Sequence, residues 1–134
     1  MKSVLAVIAG LIAAVVVIYG LEFLSTILFP LPEGADPTNI EWIKENAELI
    51  PTGSMIIVAL AHLLGIIVGM VIAAKVAGMT MIPSYIVGIL LLVGTLLNLI
   101  MIPHPFWFAA TDLIGVVIGL GIGKVFAQKQ LKRA

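Results

Sequence analysis

The chain has 134 residues, 62% of them hydrophobic and only 10% charged, with Lys and Arg balancing Asp and Glu at zero net charge. A typical soluble chain is roughly 45–50% apolar, and a domain this small has too much surface to cover with so few charges. An ordinary cytosolic enzyme, a nucleic-acid binder and a disordered tail are excluded, and one integral membrane domain over residues 1–134 is expected. The absence of cysteine removes disulfides, thiolate metal sites and a Cys nucleophile.

A bilayer span needs about 20 mostly apolar residues. The first such run covers about residues 4–29 and stops at Pro30. It is longer than the roughly 7–15 residues of a signal-peptide core and shows no clear cleavage site, so it reads as a retained helix. Residues 30–54 form the only sizeable polar connection. Pro30-Leu31-Pro32 opens it in extended form. Asp36-Pro37 then reads as an N-cap and first helical position, beginning a short helix to about Leu49 that ends before Pro51. Ile40, Ile43, Ala47 and Ile50 recur at helical spacing with Trp42 nearby. That pattern fits an amphipathic helix on the outer membrane surface, or a lid packed on the bundle. The lid is favoured, because the helix is acidic and lacks a basic face. Three further spans follow, at about 55–76, 82–102 and 106–126, joined by a turn at 77–81 and by Pro103-His104-Pro105. The fold expected is an all-α membrane protein, a four-transmembrane-helix bundle with a short extracytoplasmic amphipathic helix between helices 1 and 2.

Charge sets the direction. Lys2, Lys75, Lys124, Lys129, Lys132 and Arg133 fall on one side, and Lys44 alone falls on the other, among Glu33, Asp36, Glu41, Glu45 and Glu48. Both termini are therefore expected in the cytoplasm.

Small residues recur every four positions: Ala6, Gly10 and Ala14; Ala61, Gly65, Gly69 and Ala73; Thr111, Gly115, Gly119 and Gly123. Such ladders let membrane helices approach closely. They serve either packing within one bundle, the favoured reading, or a homo-oligomer interface. The second and fourth spans also resemble each other, His62–Gly69 aligning with Asp112–Gly119. The first and third both end in Pro-x-Pro. A parallel duplication of hairpins would account for this.

Few polar side chains interrupt the spans, so each one counts. Glu22, His62, Asn98 and Asp112 lie about 7–12 Å below the outer helix ends at 1.5 Å per residue. One polar layer is expected, with Ser25 and Thr26 supporting Glu22, and Thr95 supporting Asn98. If the faces of Gly65 and Gly115 pack together, His62 meets Asp112 across the crossing, a natural pair. The layer is either a site (a proton relay, a cation site or a small-ligand pocket) or an interhelical clamp. His104 reads as a solvated turn residue. Trp107 reads as an interfacial anchor. No metal set is present, and Gly119–Lys124 lacks the Ser or Thr that a phosphate loop requires after its Lys. No catalytic residue and no cofactor are expected. A lipid-directed enzyme would rest on Glu22, His62 and Asp112 alone.

Ala9-Gly10, Glu22 before a proline-rich outer loop, and Met101-Ile102-Pro103-His104-Pro105-Phe106-Trp107-Phe108 carry a resemblance over most of the length. In these the chain resembles a group of small, uncharacterised bacterial four-span inner-membrane proteins. The resemblance implies a bacterial inner-membrane location and no activity. Two functions are expected. The first is a non-enzymatic accessory or assembly subunit, partnered by the bilayer and by other membrane proteins or copies of itself. The alternative is a small transporter, channel or ligand-binding protein using Glu22, His62, Asn98 and Asp112. Nucleic acid is not an expected partner.

Overall fold

A computed structural model describes residues 1–36 and 38–131. Its helices are α1 (Lys2–Leu28), α2 (Ile40–Glu45), α3 (Thr52–Ala77), α4 (Ile82–Met101) and α5 (Phe106–Leu131), with a 3₁₀ turn at Ala47–Leu49. There is no strand among the described residues. α1, α3, α4 and α5 are long and apolar enough to cross a membrane.

Helix ends follow the backbone chemistry. α1 stops where Pro30 removes a donor, Phe29 closing it with a bond to the Ser25 carbonyl. α3 ends at Gly78, whose φ of +76° is the left-handed conformation that glycine adopts without penalty. α4 starts with Pro83 in its first turn, where a missing N–H costs nothing. α3 begins three residues earlier than the apolar run suggested, and α5 continues past Phe126 to Leu131. Helical hydrogen bonding does not stop where hydrophobicity does.

The connection differs more. The Asp36 carboxylate bonds the backbone N–H and the hydroxyl of Thr38, at 3.0 and 2.6 Å, so it closes a local turn and does not cap α2. Asn39 is the cap, its side chain accepting from the N–H groups of Glu41 and Trp42. Pro37, expected as the first helical residue, lies outside the described residues. The Asn46 amide donates to the Trp42 carbonyl at 2.8 Å. That bond ends α2, and the chain continues only as the 3₁₀ turn. Lys132 and Arg133 of the basic end also lie outside the described residues.

α3 is the hub. α1 lies along one side of it and α5 along the other, while α4 packs more lightly across the group. Small residues make much of the core: Ala6, Ala14, Ala61, Ala73, Ala74 and Ala127 are fully enclosed beside Ile66, Met70, Val87, Phe108 and Val116, whereas Val4, Ile12, Val16, Phe23, Ile100 and Val117 point outward. A water-soluble bundle would bury the large side chains. Close backbone approach with large apolar groups outside suits helices in lipid, where association depends on tight packing.

The ladders are used within the bundle. A methyl added at Gly10 would sit 2.7 Å from the Gly69 carbonyl oxygen and 2.9 Å from the Ala73 Cβ. The stripe on α3 thus receives the stripe on α1. Gly119 and Gly123 of α5 instead lie on Leu63, Ile67 and Met70 of α3, and Gly115 is more loosely seated near Leu63. The faces of Gly65 and Gly115 therefore do not pack together as expected; Gly65 is covered by Ile18 and Ala14 of α1. Nor do the two hairpins match: α1 lies closely on α3, whereas α4 barely touches α5.

Candidate functional site

Three polar bonds tie helices to α3. Ser84 at the start of α4 donates to the Met70 carbonyl at 2.9 Å. At the opposite end Ser25 of α1 donates to Ser54 at 2.8 Å. Between them His62 of α3 meets Asp112 of α5, its Nδ1 lying 2.9 and 3.0 Å from the two carboxylate oxygens. Asp112 is fully enclosed and His62 is 9% exposed. The expected meeting occurs, although by a different packing. The α3 stripe facing α1 is separate from the α3 face carrying Ala59, His62, Leu63 and Ile66, and it is that second face that α5 covers.

Glu22 and Asn98 do not join the pair. They line a cavity of about 550 Å³ at the α2 end of the bundle. α1 and α4 are close at the other end, where Gly10 lies against Val87. Towards α2 the cavity separates them. Tyr19, Glu22, Phe23 and Thr26 form one wall from α1, and Asn98 and Ile102 form the other from α4. Ser54, Met55 and Val58 of α3, with Phe108 of α5, make the back. Met55, Ala59 and Phe108 pack together as a buried cluster behind it. Trp42 and Ile43 of α2 also line the cavity and are half-buried, whereas Glu41, Lys44 and Glu45 are exposed. α2 presents its apolar side to the pocket.

Polar groups in the lining fall into two sets. Ser25 and Ser54 bond each other, and the Thr26 hydroxyl bonds the Phe23 carbonyl. The Asn98 Oδ1 is enclosed with no hydrogen-bond partner, and the His104 ring lies against the Ile102 backbone. Glu22 is half-buried, and it has no cationic partner, since the ion pair found among the described residues is His62–Asp112. Unmatched polar groups of this kind are rare in folded proteins and usually mark a missing partner.

His104 was expected in solvent, and that expectation is corrected. Its ring stacks on Phe108 with centroids 4.7 Å apart and is half-buried in the pocket wall. Burial pushes its imidazole below the ordinary range. The signal was present in the spacing: His104 precedes Phe108 by one helical turn, and flanking prolines hold the turn back over the helix. Trp107 stands partly exposed in the first turn of α5, edge-on to Phe108. Thr95 is buried one turn below Asn98, and Thr111 bonds its own helix at the Trp107 carbonyl. Among the described residues no three His, Cys, Asp or Glu side chains gather as a metal site would require.

In comparisons with known proteins, no family model, no curated protein and no solved structure matches this chain.

Proposed function

We propose that this protein is a small-ligand-binding membrane protein, non-enzymatic, whose site is the pocket between α1 and α4 under α2. The four long helices would cross a bacterial inner membrane with both termini in the cytoplasm, as the grouping of Lys2, Lys75, Lys124 and Lys129 at one end supports. The pocket then lies in the outer half of the bilayer, with α2 as its amphipathic roof. One observation carries the reading. The side chains of Asn98, His104 and Glu22 line one cavity, and Glu22 has no ion-pair partner there, while Ser25, Ser54, Thr26, Ser84, His62 and Asp112 are all satisfied inside the bundle. A clamp explains the second set and leaves the first unexplained. In hydrocarbon an unsatisfied polar group costs several kcal/mol, and an occupant of the cavity is the partner available to Glu22. The cavity is within the range of about 300–1,000 Å³ typical of small-molecule sites.

The accessory-subunit reading keeps its support from small size and short loops. The glycine ladders add nothing to it, because α1, α3 and α5 use them on one another.

Native mass spectrometry of tagged protein, taken from its own membranes in mild detergent, tests the proposal. A bound small molecule in the wild type that Ile102→Trp loses is the expected result. Foreign subunits in fixed ratio, with no small molecule, would overturn it in favour of the accessory subunit.

A further inference from the structure

Resting on the reading of the pocket as a ligand site, we infer that its ligand is an amphiphile with a protonated amine head and an apolar body. The lining has one formal charge, and it is negative: Glu22. No Lys or Arg is among the lining residues, and Lys44 stands on the exposed side of α2. A phosphate or carboxylate head would therefore meet only repulsion from Glu22. An ammonium group supplies N–H donors to the Glu22 carboxylate, and charge-assisted bonds of that kind are about twice as strong as neutral ones.

Aromatic rings complete the match. Phe23, Phe29 and Trp42 line the same cavity, and the electron-rich face of an aromatic ring attracts a desolvated cation. The remaining walls are aliphatic and suit a hydrocarbon body. Phe23 lines the cavity and is 69% exposed, so part of the lining is continuous with the outer surface of α1, where an amphiphile dissolved in the bilayer would arrive. The cation also relieves the protein, since an ionised side chain inside a membrane costs at least about 2.5–3.5 kcal/mol without a partner.

Three probes share one apolar body and differ in the head: 4-phenylbutylammonium, 4-phenylbutanol and 4-phenylbutyrate. Each is titrated into the full chain in nanodiscs of phosphatidylcholine, by calorimetry and by Trp fluorescence, with empty nanodiscs as the partition blank. The ammonium should bind saturably and at least tenfold more tightly than the alcohol, and the butyrate should not bind. Glu22→Gln should reduce ammonium affinity about tenfold or more and leave the alcohol unchanged, while Glu22→Asp retains part of the preference. Equal affinity for ammonium and alcohol, or an unaltered ammonium affinity in Glu22→Gln, overturns the head-group assignment and leaves the pocket reading standing. Saturable binding of none of the three, with the variant still folded, overturns both, and the pocket then holds water.

Discussion

Replacing His62 and Asp112 by Leu, singly and together, tests whether their contact holds α3 to α5. Asp112 has no exposed surface and both its oxygens lie within 3.0 Å of the His62 ring. His62→Leu leaves a buried carboxyl group with no partner. Breaking a buried pair in this way costs about 3–5 kcal/mol. Asp112→Leu leaves an imidazole with an unmatched polar atom, a loss of about 1–3 kcal/mol. The double variant removes both problems and keeps roughly the same volume, and buried pairs replaced by packed apolar groups are often no less stable. It should therefore be more stable than His62→Leu. Hydrogen bonds between membrane helices average only about 0.6 kcal/mol and reach about 1.7. For the double variant to be more stable than His62→Leu the coupling must exceed the Asp112→Leu loss, so a coupling above about 1–3 kcal/mol is expected for this enclosed pair. Equilibrium unfolding of the four proteins in bicelles measures it. If the single losses simply add, with a coupling under about 0.5 kcal/mol, the pair is not a clamp.

The packing of the ladders predicts opposite effects of one substitution. Gly10→Ala drives a methyl into the Gly69 carbonyl and the Ala73 side chain and should destabilise by about 1–3 kcal/mol. Gly94→Ala, where the added methyl meets nothing within 4 Å, should stabilise by about 0.5–1 kcal/mol. Unfolding of the two variants in the same bicelles distinguishes them, and a Gly10→Ala protein as stable as the wild type would refute the assignment of α1 to the α3 stripe. Asn39→Ala removes the α2 cap, worth about 0.5–2 kcal/mol, and should loosen the roof. Faster hydrogen exchange at Glu41 and Trp42, with weaker binding of 4-phenylbutylammonium, is the expected readout. His104 gives a pH dependence. Burial holds its folded pKa below the ordinary value of 6.5, so between those two values the unfolded chain binds more protons than the folded one. Stability should then fall as the pH is lowered below about 6.5 and level off below the folded pKa. His104→Gln should lack that part of the acid loss; an identical pH profile in variant and wild type would place the ring in solvent.

The four long helices and the turns between them were legible because they depend on local facts: apolar run length and proline position. The His62–Asp112 contact was expected from glycine faces that do not meet; it forms because α5 covers the α3 face that carries His62. Which face meets which was not legible. α3 carries small residues at Ala61, Gly65, Gly69 and Ala73 on one side and Ala59, His62, Leu63 and Ile66 on another. In a chain this apolar the sequence period does not rank the two faces, because both are hydrophobic and a stripe of glycine accepts many partners. Packing decided it: the stripe took α1, whose own small residues permit backbone contact, and α5 was left with Leu63, Ile67 and Met70.

That choice separates the polar layer into two parts with different roles. With α1 pressed against the glycine face of α3, Glu22 is carried to the α1 side of the hub, while Asp112 is held on the α5 side against His62. Asn98 sits on α4, which has the fewest ties of the four long helices. Its firmest anchor is Ser84 on the Met70 carbonyl, fourteen residues and about 21 Å of helix away from Asn98. A helix tied at one end and free at the other can diverge from its neighbours, and the cavity opens where the tie is absent. A chain under selection for tight packing alone would close that gap with the same small residues used at Gly10 and Gly69. Here the gap is lined instead by Glu22, Asn98 and His104. Unpartnered polar groups there cost folding free energy, so the shape of the bundle and the chemistry of the lining both favour the ligand-site proposal.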